Sequence, residues 1–189
     1  MSDDIKVALI YGSVREGRFG DIVGRWVATE IAKRSEFSLD VIDPATLNVI
    51  PHTPKGLSEH LQERIGIAEA FVILTPEYNH GYPAALKFLI DSVNRPWRAK
   101  PVSFVSYGGI SGGLRAVEQL RLVFAELHAI TLRDTVSFAN AWTQFDADGK
   151  LLNPELAEQA MALMLTRLSW WAHALRAARN VAPYDQAAA

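Results

Sequence analysis

Three glycine-bearing segments carry the residue types that could do chemistry. The first, Gly12-Ser13-Val14-Arg15-Glu16-Gly17-Arg18-Phe19-Gly20, sets a hydroxyl and two guanidiniums among three glycines. Where such a segment leads from a strand into a helix, the helix N-terminus adds unpaired N–H groups and the positive end of its dipole, which makes an anion site. Ser13, Arg15 and Arg18 could then neutralise a bare phosphate monoester by charge-assisted hydrogen bonds. Gly12 and Gly17 have the spacing of an NTPase phosphate loop, yet Arg18 and Phe19 stand where that loop needs Lys and a magnesium-binding hydroxyl. A magnesium nucleoside triphosphate is therefore not expected. The competing reading is a glycine-rich turn with two solvated arginines, and this segment alone does not choose between them.

The second segment is Pro76-Glu77-Tyr78-Asn79-His80-Gly81. Pro76 pins φ, and Gly81 with Pro83 prepares the next helix start. The stretch is expected to present several backbone N–H groups in a row beside Tyr78. A flat ring with alternating acceptors and donors along one edge, such as the pyrimidine side of a flavin, would suit it. Donors near the flavin N1 and O2 would also favour the anionic reduced form. The competing reading makes Tyr78 and Tyr82 half-buried loop aromatics; His80 is read as a surface histidine.

In the third segment, Gly109-Ile110-Ser111-Gly112-Gly113 fits the hydrolase nucleophile elbow. Asp134, Asp146 or Asp148 followed by His173 could complete a triad order. Against an esterase, His173 falls within a strong helical period, no HGGG-type oxyanion motif is present, and the extra glycines loosen the turn. The alternative use is that Tyr107, Gly108 and Gly109 let the backbone approach a planar ring, because glycine lacks the side chain that would block it.

These segments need elements to position them. Continuous apolar runs at Ile5 to Tyr11, Leu39 to Ile42, Ala70 to Thr75, Val102 to Tyr107 and Thr131 to Phe138 suit strands covered on both faces. Between them, Ile22, Val23, Trp26, Val27 and Ile31 recur at helical spacing, as do Leu86, Leu89, Ile90 and Val93, and Leu114, Val117, Leu120, Phe124 and Leu127. Asn153 as N-cap and Pro154 at the first helical position announce a last helix lined by Met161, Met164, Leu165, Leu168, Trp171 and Leu175. Asp146 to Gly149 reads as a polar turn. This alternation predicts an α/β fold, a flavodoxin-like doubly wound five-stranded parallel sheet of order 2-1-3-4-5, in one domain over 1–189 whose last few residues are disordered. Ligands of such sheets bind at the carboxyl ends of strands one, three and four, where all three segments lie.

Composition narrows the classes. The chain has 189 residues, 49% of them apolar and 21% charged, which is enough to bury a full core without staples. With no cysteine, disulfides, thiolate catalysis and Cys-held metal clusters are excluded, so a redox role needs a borrowed cofactor. A net charge of −2 without a basic stripe argues against nucleic acid. The acidic start and short apolar run that follows match neither a secretory signal nor a membrane span, and the chain is read as cytoplasmic. The five histidines form no H-x-H or H-E-x-x-H pair, so no metal site is expected. Trp26, Trp170 and Trp171 are expected in the core, and Trp97, after Pro96, exposed at a helix end.

Taken together, Gly12-Ser13-x-Arg15-x-x-Arg18, Thr75-Pro76-Glu77-Tyr78-Asn79 followed by Pro83-x-x-Leu86-Lys87, and Ser106-Tyr107-Gly108-Gly109 closely resemble the NADPH-dependent FMN reductase family, with its quinone, azo-dye and chromate reductases. The resemblance runs from about Val7 to Phe138. It implies that Ser13, Arg15, Arg18, Phe19 and Gly20 hold the FMN phosphate, that Pro76, Glu77, Tyr78 and Asn79 border the isoalloxazine, and that Tyr107, Gly108, Gly109 and Ser111 flank its other side. It implies NADPH, or NADH, as reductant, a small-molecule electron acceptor, and a homodimer or homotetramer in contact through Tyr82 to Trp97. By the same resemblance the flavin N5 carries the chemistry by ping-pong hydride transfer, and no catalytic side chain is needed. A flavodoxin-type electron carrier, or an esterase using Ser111, is the alternative, and Arg15, Arg18 and Arg115 are uncommitted candidates for the extra phosphate of NADPH.

Overall fold

The structure, a computed structural model, describes residues 4–47 and 55–186. The expected disorder of the last few residues lies outside the described residues. Five strands, β1 (Ile5–Tyr11), β2 (Phe37–Ile42), β3 (Ala70–Pro76), β4 (Pro101–Gly108) and β5 (Ile130–Ala139), form one sheet. All pairings are parallel and the order is β2-β1-β3-β4-β5, as the alternation predicts. Every residue of β3 is buried, because helices cover both faces of the sheet centre.

The helices are α1 (Gly20–Ala32), α2 (Lys55–Ile67), α3 (Ala84–Asp91), α4 (Leu114–Glu126) and α5 (Glu155–Val181). They divide the core into two layers. On one face Val23, Val27 and Ile31 of α1 and Met161, Met164, Leu165 and Leu168 of α5 pack against Val7, Leu9, Val72 and Val105. On the other, Leu61 and Ile65 of α2, Leu86, Leu89 and Ile90 of α3, and Val117, Leu120 and Phe124 of α4 pack against Ala8, Ile10, Ile73 and Phe104. Each large side chain so buried stabilises the fold by roughly 1.5–3 kcal/mol. The apolar stripes give no counterpart to α2, whose described buried face amounts to little more than Leu61 and Ile65.

Several expectations change. Helix α5 starts one residue later than the Asn153 cap implies, with Pro154 at the N-cap. Trp97 is not exposed: the short 3-10 turn Arg95–Trp97 folds its ring back onto Phe71 and Phe124, and its indole N–H donates to the Val93 carbonyl at 2.7 Å. Trp170, two residues past Leu168 and so on the opposite side of α5, is 63% exposed, with Trp171 packed edge-on against it. Trp26 is half-buried against Phe138, as expected of a core aromatic. Asp146 organises the polar turn by accepting from the backbone N–H groups of Asp148 and Lys150.

The outer strand is irregular. The pairing of β4 with β5 jumps from Val102–Thr131 to Phe104–Thr135, which puts a bulge at 132–134. Arg121 of α4 donates there to the carbonyls of Leu132 and Arg133.

Candidate functional site

Strands β1, β3 and β4 lie side by side, so the three glycine-bearing segments leave the sheet together at its carboxyl pole. Backbone bonds hold their roots: the Gly12 N–H donates to the Leu74 carbonyl at 2.7 Å and the Glu77 N–H to the Tyr107 carbonyl at 3.2 Å.

In the first segment Ser13 is 2% exposed, with its hydroxyl 2.7 Å from the Tyr78 hydroxyl. The Arg15 N–H donates to the same Ser13 oxygen, and the Arg15 guanidinium lies 3.7 Å from the centre of the Tyr78 ring. Arg15 is exposed and has no carboxylate partner among the described residues. Gly17 takes a positive φ of 62°, and the N–H groups of Val14, Glu16, Gly17 and Arg18 have no protein partner among the described residues. These donors sit at the head of α1, the position at which the sequence places a possible anion site.

Arg18 points elsewhere. Its side chain is 8% exposed and bonds Asp21 at 2.8 Å, both carboxylate oxygens of Asp43, and the Ser13 carbonyl. The bidentate bond to Asp43 raises the affinity of Arg18 for its proton. Burial disfavours the charged form of Asp43, but the bonds from Arg18 and the Ala45 N–H override it and hold that carboxyl below its ordinary range. Phe19 also turns inward, onto Tyr107 and Phe145. Gly20 is the place where α1 passes under the Tyr107 hydroxyl: a Cβ there would lie 2.5 Å from that oxygen.

The second segment closes on itself more tightly than expected. Tyr78 and Gly81 exchange two backbone bonds of 2.8 and 3.0 Å across a hairpin whose central residues, Asn79 and His80, have φ of 51° and 68°. The Tyr78 N–H is thereby occupied, and that of Glu77 is taken by the Tyr107 carbonyl. Those of Asn79 and His80 have no protein partner among the described residues, so the expected row of several donors is two long.

In the third segment Gly112 and Gly113 have φ of 60° and 84°, and the Gly112 carbonyl accepts from Ser106 and Ser137. A Cβ on Gly109 would meet only the Trp142 ring, at 3.8 Å, so one side of this backbone is open. Ser111 and Glu77 face each other. The Glu77 carboxylate, 7% exposed, accepts from the Ser111 hydroxyl at 2.7 Å, from Arg115 Nε at 2.6 Å and from the Arg115 backbone N–H at 3.2 Å. Burial would raise its pKa, yet these bonds hold it below the ordinary carboxylate range. An ion pair between a shielded carboxylate and a half-exposed guanidinium therefore ties the second segment to the head of α4.

The esterase parts do not meet. Ser111 donates to Glu77, His173 bonds Arg176, Asp134 pairs with Arg167, and Asp146 caps its own turn. Among the described residues no group of three or more His, Asp or Glu is arranged to hold a metal.

A family model of NADPH-dependent FMN reductases matches residues 5–143. The chain belongs to this family. It is 32% identical over 191 residues to an NAD(P)H-dependent FMN reductase of Pseudomonas aeruginosa, covering 93% of this chain and all of that one. It is 33% identical to an NAD(P)H:quinone oxidoreductase of Solanum tuberosum, covering 85% and 90% of the two chains. The fold matches FerB, an NAD(P)H:(acceptor) oxidoreductase of Paracoccus denitrificans, with a TM-score of 0.72 at 18% identity over 89% of this chain and 97% of that one. The reductase is thus a flavodoxin-like oxidoreductase whose family uses FMN and a reduced nicotinamide.

The residues that the sequence singled out fall into two groups in this reductase. Ser13, Arg15, Tyr78, Asn79, Gly108 and Gly109 lie on the three segments at the carboxyl pole, with Ser13 and Arg15 against Tyr78 and one side of Gly109 open beside Trp142. Arg18, Phe19, Tyr107, Glu77 and Ser111 turn their side chains into the protein around it, while Pro76 ends β3 in the core. Sequence reasoning missed Asp43 and the pairing of Arg115 with Glu77. An Asp at the end of the strand next to β1 is a readable signal, because order 2-1-3-4-5 puts it beside the first segment. It also missed Trp142, which is exposed over Gly109. No helix among the described residues is long and apolar enough to cross a membrane.

Proposed function

We propose that the reductase holds FMN in this crevice, takes hydride from NADPH or NADH, and passes the electrons to a quinone, free flavin, azo compound or metal oxyanion. The single observation that carries the reading is the meeting, at one pole, of an uncompensated Arg15, a run of unpaired loop N–H groups and an open glycine backbone. The fit is chemical: the loop donors and Arg15 suit a phosphate, while the Asn79 and His80 N–H groups and the open side of Gly109 suit a planar ring with acceptors on its edge.

In this reading Ser13, Arg15 and the backbone N–H groups of Val14, Glu16, Gly17 and Arg18 bind the phosphate. Arg18 is a positioning residue, since its charge already serves Asp21 and Asp43. Phe19 and Tyr107 support the loop from below, and the backbones of Tyr78, Asn79, Gly108 and Gly109 border the ring. Glu77 and Ser111 set the distance between the two ring-facing segments. Bound FMN would supply the hydride and electron chemistry at N5, so the protein contributes orientation and donors near developing negative charge. One open face serves both substrates in turn, which gives ping-pong kinetics.

The same reading takes 1–189 as one cytoplasmic domain that forms homodimers or homotetramers through Tyr82 to Trp97. Leu86, Leu89, Ile90, Val93 and Trp97 are buried in this chain's own core, so such a contact falls to Tyr82, Lys87 and their outward neighbours.

The absorption spectrum of the purified protein tests the function. A yellow protein bleached by NADPH without oxygen supports the reductase reading. Yellow without bleaching points to an electron carrier, and a colourless protein that hydrolyses a nitrophenyl ester points to Ser111.

A further inference from the structure

One large aromatic at the carboxyl pole has no work in the fold. Trp142 follows β5 closely, on the short 3-10 turn Ala141–Thr143, and it is 60% exposed. Among the described residues it takes part in no hydrogen bond or ring contact, whereas Trp170 and Trp171 pack on each other. What it does approach is Gly109: a Cβ on that glycine would meet the Trp142 ring alone, at 3.8 Å. We propose that Trp142 is a specificity-determining residue, an aromatic wall beside the proposed flavin site that selects planar, uncharged electron acceptors such as quinones over hydrated inorganic oxidants. This role rests on the reductase reading and narrows the acceptors named there.

The backbone holds the ring in place. At the end of β5, Ala139 pairs with Gly108 of β4, and the next residue, Asn140, turns into the left-handed region with φ of 48°. Its N–H donates to the Gly109 carbonyl at 2.8 Å, and its carbonyl accepts from the Thr143 N–H and hydroxyl, each at 2.9 Å. Ala141 and Phe145 are buried in the core, which pins the turn from below while Trp142 faces outward. A ring carried on so constrained a turn loses little conformational freedom when a ligand stacks on it.

The surroundings select the ligand. Ile110, next in the chain to Gly109, is 88% exposed, so two large apolar side chains stand beside that glycine. Such a surface favours a flat, apolar ligand through buried area and through offset or edge-on ring contact. The turn itself, Ala139-Asn140-Ala141-Trp142-Thr143-Gln144, carries no charge, and Glu77 and Arg115 beside the third segment bind each other. Nothing on the turn would meet the phosphates of a dinucleotide or the charge of an oxyanion, which points to the ring of the acceptor rather than to the nicotinamide.

The test compares the FMN-loaded wild type with Trp142→Ala and Trp142→Phe, using menadione as the planar acceptor and ferricyanide as the inorganic one. Equilibrium dialysis of menadione with the oxidised protein, in the absence of nicotinamide, gives its affinity. With NADPH as reductant, the ratio of kcat/KM for menadione to that for ferricyanide gives the selectivity. A fall of about fivefold in both affinity and ratio in Trp142→Ala, with most of each kept in Trp142→Phe, supports the role. Menadione affinity unchanged in Trp142→Ala, a ratio that does not fall, or a raised KM for NADPH without a change for menadione overturns it; the last places the nicotinamide against the ring. A wild type that NADPH does not bleach overturns the reductase reading and this role with it, whereas bleaching with Trp142→Ala indistinguishable from wild type overturns this role alone.

Discussion

The hydroxyls of Ser13 and Tyr78 lie 2.7 Å apart and join the loop after β1 to the hairpin after β3. Because Arg15 lies over the same Tyr78 ring, one tyrosine holds both the hydroxyl and the guanidinium proposed to meet the FMN phosphate. Tyr78→Phe keeps the ring and loses the hydrogen bond, and it is expected to weaken FMN binding by about 0.5–1.5 kcal/mol. Tyr78→Leu also loses the cation–π contact, for about 0.5–1 kcal/mol more. Quenching of FMN fluorescence on titration gives both affinities; equal values for wild type and Tyr78→Leu would remove the tyrosine from the site.

The two arginines of the first loop should separate cleanly. Arg15→Ala is expected to cost about 1.5–3 kcal/mol in FMN affinity with little change in melting temperature. Arg18→Met leaves Asp43 without its bidentate partner and should lower folding stability by about 3 kcal/mol. Adding Asp43→Asn should recover part of that loss. Thermal unfolding of the two single variants and the double variant measures the coupling, and additive losses would show that the pair does not interact.

Glu77 makes the junction of the second and third segments sensitive to acid. Its carboxyl is held below the ordinary range, so its bonds stabilise the fold fully above the unfolded pKa of about 4.3 and are lost as pH falls through the lower folded value. Wild type is therefore expected to lose stability on acidification below about pH 5 more steeply than Glu77→Gln. Parallel curves of melting temperature against pH for the two proteins would contradict this.

Lys100 behaves in the opposite sense. Its pKa is lowered to about 8 in the fold against an unfolded value near 10.4, so between these limits the unfolded chain holds more protons. Stability contributed at this position is lowest below pH 8 and rises toward about pH 10.4. The difference in melting temperature between wild type and Lys100→Met should shift in favour of wild type over that interval. A flat difference would mean that Lys100 titrates normally.

Fold and site were legible in the sequence to different depths. Strands such as Ala70–Pro76 announce themselves because burial on both faces demands an unbroken apolar run. Helix α2 does not, since a thin buried stripe of Leu61 and Ile65 is lost among polar residues. The loops were recognisable by their glycines and arginines, but the direction of each side chain was not. Arg15 and Arg18 look alike in the sequence, and only the approach of Asp43 from β2 turns one inward. Trp97 misled for the same reason: local sequence marks a helix end, while Phe71 and Phe124, distant in the chain, decide which way the ring faces.

Strand β5 closes one side of the sheet, and the outer rim of a sheet is where a foreign strand could add itself. At 132–134 the ribbon is kinked, and the guanidinium of Arg121 occupies the carbonyls of Leu132 and Arg133. A newcomer would have to evict a cation and straighten a bend before it could pair. Bend and cation together oppose edge-to-edge pairing at this rim, and Arg121→Ala would leave the bend alone to do so.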